Sequence, residues 1–337
     1  MQYKSENVLV TGGGGFLGKA IVKALVARGD QVTSFSRGFY PELETLKVRQ
    51  IQGDIADPGA AKTACEGMDA VYHVAAKAGV WGPFQEFYRA NVLGTENILA
   101  ACREKGVQRL IYTSSPSVVF DSNDMEGVNE SVPYPEQFHA PYPETKAMAE
   151  KKVRAASGCD TIILRPHLIW GPGDNHLLPG IVARAKQLRR IGSGTNVVDT
   201  IYVDNAAQAH VLAGDALKKN ASLSGNIYFI SQDDPIALWE MVDHFLKAAG
   251  LPPVQGSVSG RTAYWAGAIL EVLFKIFPFK TEPPMTRFAA RELATSHWFD
   301  ISRAKQDLGY VPLVSTHEGL KRMTAWLNEN PQRVGVS

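Results

Sequence analysis

The sequence predicts an α/β fold organised on a doubly wound parallel sheet, and three observations carry that expectation. Apolar, strand-like runs alternate with helical patterns through the first half of the chain. A glycine-rich loop joins the first run to the first helix, and a second run follows that helix at the distance of a βαβ unit.

Val8-Leu9-Val10 is the first strand, and it leads into Gly12-Gly13-Gly14-Gly15-Phe16-Leu17-Gly18. Ile21, Val22, Leu25 and Val26 then repeat at helical spacing. Glycines at 12, 15 and 18 let the chain turn tightly and bring backbone N–H groups and a helix N-terminus against a dinucleotide pyrophosphate, where any side chain would block the approach. Val32-Thr33-Ser34-Phe35 is the second strand, and Val48 to Gln52, Ala70 to Val74, Leu110 to Thr113 and Thr161 to Leu164 continue the series with helices between them. Such alternation gives a Rossmann-type sheet covered on both faces, with ligands beyond the carboxyl ends of its strands.

After about residue 164 the pattern becomes irregular, with Gly171-Pro172-Gly173, Gly192-Ser193-Gly194 and Pro252-Pro253 marking loops. Asn226 to Ile230 reads as one more strand and Leu238 to Ala248 as a helix. The expected division is a dinucleotide-binding domain over 1–165 and a smaller, interleaved substrate-binding region over 166–337, with 226–248 returning to the first domain.

The 337 residues suffice for a substantial core, and a formal net charge of +1 with both signs interspersed provides no basic footprint for nucleic acid. Cys65, Cys102 and Cys159 lie far apart, without metal spacing or a disulfide framework, which suits a reducing compartment. No basic region followed by an apolar stretch opens the chain, so the cytoplasm is the expected location. Residues 263–279 are the most apolar segment, but Glu271 and Lys275 interrupt it and it is too short to span a bilayer. It is expected to be an amphipathic lid over an oily substrate; contact with a membrane surface or a partner enzyme is the alternative.

Ser115 lies at the end of the fifth predicted strand, and Tyr142-Pro143-Glu144-Thr145-Lys146 places a lysine one helical turn after a tyrosine. A phenol ionises near pH 10, too high for ready proton exchange at neutrality. A lysine four residues along the same helix face favours the phenolate, and a serine hydroxyl can hold a substrate oxygen in line. With a nicotinamide for hydride transfer, Ser115, Tyr142 and Lys146 are the expected catalytic set.

These motifs resemble the extended short-chain dehydrogenase/reductase superfamily over nearly the whole chain. The resemblance implies that Phe16, Leu17, Asp54, Ile55, Ala75, Ala76, Lys146 and Pro166 join Gly12, Gly15 and Gly18 around the cofactor, and that Asn91 is the superfamily's helix-4 asparagine. It further implies a homodimer formed through two helices of the sheet. Ser36-Arg37 ends the second strand where an NAD enzyme needs an acidic residue, so NADP(H) is the expected cofactor.

Where sugar-nucleotide epimerases and dehydratases carry a phosphate-binding asparagine, this sequence has Leu168, which disfavours that class of substrate. Residues Arg165 to Asp174 and Tyr202 to His210 instead resemble the 3-beta-hydroxysteroid dehydrogenase group. Within that group, Ala75 to Gly82, Tyr112 to Val118 and Leu168 to Pro179 are similar to bacterial reductases that act on long-chain 2-alkyl-3-keto acids in olefin biosynthesis. That resemblance implies an apolar small-molecule substrate, with hydroxysteroid or decarboxylating sterol dehydrogenation as the alternative. Trp81 and Trp170 are the expected pocket aromatics, and His167, His176 and Arg287 are weaker candidates for a substrate carboxylate.

Overall fold

The computed structural model describes residues 4–333 except 278 and 280. Five strands appear in the expected order: β1 (Asn7–Thr11), β2 (Gln31–Ser36), β3 (Arg49–Gln52), β4 (Ala70–His73) and β5 (Arg109–Thr113). With Asp160–Pro166 and Asn226–Ile230 they form one seven-stranded sheet. From one edge the order is Asn226–Ile230, Asp160–Pro166, β5, β4, β1, β2, β3, and every neighbouring pair is parallel. The order reverses direction between β1 and β4, and the glycine loop and the segment after β4 meet at that crevice.

Both faces of the sheet are buried, as its apolar strands require. Val8 and Val10 face one core with Ile21 and Val22 of helix α1 (Phe16–Arg28), while Leu9 faces a second core with Val71, Ile98 and Ile163. The first core is closed by Val203–Lys219, whose Ala206, Ala209 and Ala213 are fully buried. His210 fastens that helix to β5: its Nδ1 donates to the Ala206 carbonyl at 2.7 Å, leaving Nε2 to accept from Thr113 Oγ1 at 2.8 Å.

The second half of the chain contributes to both layers. Asn226–Ile230 sits at the edge of the large sheet, but the helix Leu238–Ala248 packs elsewhere, through Met241 and Phe245 against Trp170, Met323 and Leu327. A four-stranded sheet of Ile236–Ala237, Val197–Val198, His297–Phe299 and Met125–Val128 lies beside the site. Asn205 ties these parts together. Its Oδ1 accepts from the backbone N–H groups of Leu313 and Val314, both at 3.0 Å, and its Nδ2 donates to the Val314 carbonyl and to Gln232.

Residues 260–276 form a helix, and its orientation corrects the lid expectation. The side turned inward carries Ala263, Gly267 and Glu271, where small residues let the chain of Thr286 and Arg287 approach closely. Trp265, Ile269, Val272 and Ile276 point outward and are 55–64% exposed, so the apolar face meets solvent instead of covering a pocket. Phe277 and Phe279 extend this surface; positions 278 and 280 lie outside the described residues. No described helix is long and apolar enough to cross a membrane.

Candidate active site

The glycine loop is packed to its limit. Gly12 has φ +68°, a conformation strained for residues with a Cβ, and a Cβ there would stand 3.0 Å from the Ala75 Cα. A Cβ at Gly18 would collide with the Gly12 carbonyl, which already accepts from the Gly15 N–H at 2.9 Å. Gly15 caps α1 without a side-chain partner, so the N-terminus of the helix presents its N–H groups at the crevice. Leu17 is buried beneath the loop, Phe16 is half-buried, and the Tyr40 ring stands where a side chain at Gly14 would go. That place over the loop depends on Gln50, which clasps the Tyr40 backbone N–H and C=O at 2.9 and 3.0 Å.

Ala75 is fixed opposite the loop by a chain of hydrogen bonds, and the exposed Ala76 follows it. Thr11 Oγ1 accepts from the N–H groups of Val74 and Ala75, both at 3.1 Å, and contacts His73 Nδ1 at 2.7 Å. Thr95 donates its only hydroxyl proton to the Asn91 carbonyl at 2.6 Å, so it accepts from His73 Nε2–H, and His73 Nδ1 accepts from Thr11. Burial depresses the His73 pKa to about 3, with the Lys146 charge adding to the effect, so the ring stays neutral.

Ser36 and Arg37 stand at the end of β2. Ser36 Oγ is sealed from solvent without a hydrogen-bond partner, while Arg37 is exposed and makes no ion pair with another described residue. An unsatisfied buried hydroxyl and an open guanidinium beside a glycine cradle fit the phosphates and ribose of a dinucleotide. Asp54 is half-exposed and pairs with Arg89 at 3.0 Å; the Ala56 N–H and Arg89 hold its carboxyl below the usual range. Ile55 packs directly beneath Gly94.

The structure brings Ser115 and Tyr142 together and ties Lys146, on the same helix as Tyr142, to the neighbouring strand. Tyr142, in the first turn of the helix Pro141–Arg154, is pushed up to about 12 by burial, an effect opposed by a hydrogen bond with Ser115. Ser115 Oγ also lies 2.9 Å from Ser117 Oγ, which fixes its rotamer. Lys146 Nζ donates to the Tyr112 hydroxyl at 2.7 Å and to the Thr113 carbonyl at 2.6 Å, on the strand side of Tyr142. Burial lowers its pKa to about 7, although the Glu150 carboxylate opposes the shift.

Asn91 lies in a π-helical turn, Tyr88–Leu93, a distortion often found at functional sites. Its side chain holds the Lys77 N–H at 2.7 Å and the Lys77 C=O at 3.1 Å, and donates to Thr145 Oγ1 at 3.0 Å. The turn after Ala76 and the Tyr142 helix are thereby joined. Pro166 is buried at the end of its strand, where the chain passes toward this crevice.

Of the two expected pocket aromatics, Trp170 is corrected. It is fully buried, donates to Thr200 Oγ1 at 3.1 Å and packs on Tyr202 and Phe245, so it belongs to the core of the second region. Trp81 is half-buried in a loop bent by Gly79 and Gly82. Arg287 is occupied by Glu271 at 2.7 Å, which leaves it committed elsewhere than to a substrate carboxylate. Sequence reasoning passed over Glu292, whose carboxyl burial raises to about 7.

A model of the 3-beta hydroxysteroid dehydrogenase/isomerase family matches residues 9–258. The chain is 50% identical over 324 residues to a 2-alkyl-3-oxoalkanoate reductase of Stenotrophomonas maltophilia, covering 94% of this chain and 98% of that one. It is 47% identical to the protein of the same name in Shewanella oneidensis, covering 96% and 87%, and 31% identical to a mouse decarboxylating sterol-4-alpha-carboxylate 3-dehydrogenase, covering 95% and 90%. Among solved structures, MoeE5 in complex with UDP-glucose and NAD superposes with TM-score 0.72 at 25% identity, covering 96% and 99%. The epimerase Mth375 of Methanothermobacter thermautotrophicus, at TM-score 0.77 and 22% identity over 98% and 95%, shares the fold. The chain belongs to the 3-beta hydroxysteroid dehydrogenase/isomerase family of extended short-chain dehydrogenase/reductases, and is an oxidoreductase built for a pyridine nucleotide.

Proposed function

We propose that the protein reduces a long-chain 2-alkyl-3-oxoalkanoic acid to the 2-alkyl-3-hydroxyalkanoic acid with NADPH, as a step of olefin biosynthesis. The observation that carries the chemistry is the pairing of Ser115 with a protonated Tyr142 beside the glycine cradle. The substrate class is supported by near-full-length similarity to two proteins named for that reduction.

The reduced nicotinamide, when bound, supplies a hydride to the ketone carbon. Ser115 donates a hydrogen bond to the ketone oxygen and fixes it against Tyr142. A phenol held at about 12 keeps its proton at neutral pH, so Tyr142 can deliver it to that oxygen as the carbonyl becomes an alcohol. Lys146 lies one helical turn from Tyr142, and its charge stabilises the phenolate left behind. Arg37 and Ser36 are the residues that favour the 2′-phosphate of NADPH. A homodimer, and a membrane or pathway-enzyme contact through the outward face of Gly260–Ile276, complete the proposal.

The test is turnover of a synthetic long-chain 2-alkyl-3-keto acid with NADPH, beside NADH and beside a hydroxysteroid with NADP⁺. Reduction of the keto acid with NADPH preference is expected. Reaction of the steroid alone would overturn the substrate assignment and leave the oxidoreductase chemistry intact.

A further inference from the structure

Helix Arg287–Glu292 is fixed beside the Ser115–Tyr142 pair. Thr286 caps it, accepting from the Ala289 N–H at 3.0 Å, and Glu271 holds both the backbone N–H and the side chain of Arg287. Phe288 packs edge-on against Phe120 at 5.9 Å, and Phe120 ends the short turn that begins at Ser115. At the last residue of the helix, the Glu292 carbonyl accepts from His297 Nε2 at 2.8 Å, and His297 also packs edge-on against Phe120. Glu292 is half-buried, and its carboxyl, which has no hydrogen-bond or ion-pair partner among the described residues, lies near enough to Tyr142 for its charge to act on the phenol.

Apart from Lys146, whose ammonium is tied to the strand side of Tyr142, the groups around it offer no positive charge. His297 gives its Nε2 proton to the Glu292 carbonyl, so its Nδ1 accepts from His167 Nε2 at 3.3 Å, and burial keeps both rings neutral. Arg287 is paired with Glu271, Arg291 lies over the Tyr264 ring, and Lys146 is committed to Tyr112 and Thr113. In a 3-keto acid the carboxyl group is attached to the neighbour of the ketone carbon. Once the ketone oxygen lies between Ser115 and Tyr142, the carboxylate must therefore stand beside Tyr142. Burying it there with neither a cation nor a donor would be costly.

We infer that Glu292 binds the substrate carboxylate, donating a hydrogen bond to it as the neutral acid, and so distinguishes keto acids from ketones that lack an acid group. The inference rests on the reductase reading above. Burial already holds this carboxyl up to about 7, and a second carboxylate sharing its proton raises it further, as in paired carboxylates elsewhere. Glu292 is then a source of substrate discrimination that works by proton sharing, with no arginine at the site.

The experiment measures kcat and KM with NADPH for a long-chain 2-alkyl-3-keto acid and for its methyl ester, using the full chain and its Glu292→Gln and Glu292→Ala variants. Wild type should bind the acid less tightly as pH rises from roughly 6 to 8.5. Glu292→Gln keeps an N–H donor and should lose that dependence. Glu292→Ala should raise KM for the acid at least about tenfold, the scale of one hydrogen bond to a charged group, and leave KM for the ester within about twofold. Equal effects on acid and ester, or an unchanged pH profile in Glu292→Gln, would overturn the inference. Lack of turnover by wild type on both substrates would remove the reductase reading, and this inference with it.

Discussion

Arg165 and Glu150 form a two-point ion pair sealed from solvent, with Nε to Oε2 at 3.0 Å and a second guanidinium nitrogen to Oε1 at 2.5 Å. Glu150 also accepts from the Tyr134 hydroxyl at 2.7 Å, and the guanidinium lies between the Tyr134 and Phe229 rings. The pair joins the Tyr142 helix to the strand Asp160–Pro166 immediately before Pro166. Glu150→Ala would leave a buried guanidinium uncompensated and is expected to cost about 3–5 kcal/mol in urea unfolding. A loss under about 1 kcal/mol would show that water or another group replaces the carboxylate.

Tyr142→Phe removes the proton that the reaction delivers. Turnover should fall at least about a hundredfold while NADPH binding, followed by fluorescence, stays near wild type. Ser115→Thr keeps the hydroxyl and should retain much more activity than Ser115→Ala. Near-normal turnover of Tyr142→Phe would end the assignment.

Cofactor choice should turn on Arg37, which is exposed and pairs with no described side chain. Arg37→Ala is expected to raise KM for NADPH about tenfold or more and to leave KM for NADH nearly unchanged. Equal changes for both cofactors would make Arg37 a general surface charge.

Asp199 is buried, accepts from the Phe299 N–H at 2.8 Å, and is pushed up to about 7, chiefly by burial. Because its folded value lies above the ordinary 3.8, its stabilising contribution is complete below about pH 4 and is lost as pH rises through about 7. Asp199→Asn keeps the acceptor and cannot ionise. Relative to wild type, its stability should improve by about 4 kcal/mol between pH 4 and pH 8, read from urea midpoints at each pH. A difference independent of pH would contradict the shift.

The glycine loop, β1 to β5 and the Ser115–Tyr142 pair were legible because each is encoded locally, by residue spacing or by a strand end. Trp170 was not, because its partners Thr200, Tyr202 and Phe245 are set by tertiary packing, and an aromatic near a strand end looks the same in a core as in a pocket. The pattern in 260–276 indicated an amphipathic helix but not which side is covered; Ala263, Gly267 and Glu271, each four residues apart, mark the inner side. The spacing of Lys146 from Tyr142 puts both on one helix, but the Lys146 contact with Tyr112 depends on strand register. Glu292 had no local signal, since a single glutamate at the end of a short helix resembles any solvated one.

The outermost strand of the large sheet, Asn226–Ile230, comes from the far side of the segments that surround the catalytic crevice. Until that strand has been synthesised, Asp160–Pro166 presents a bare edge whose Ile162, Ile163 and Leu164 invite pairing with other nascent chains. The nucleotide-binding half is therefore not a cassette that can be cut at residue 166 and grafted elsewhere. Chimeras that exchange the pocket need their crossovers on both sides of 226–230, or the transplanted sheet will lack its last rung.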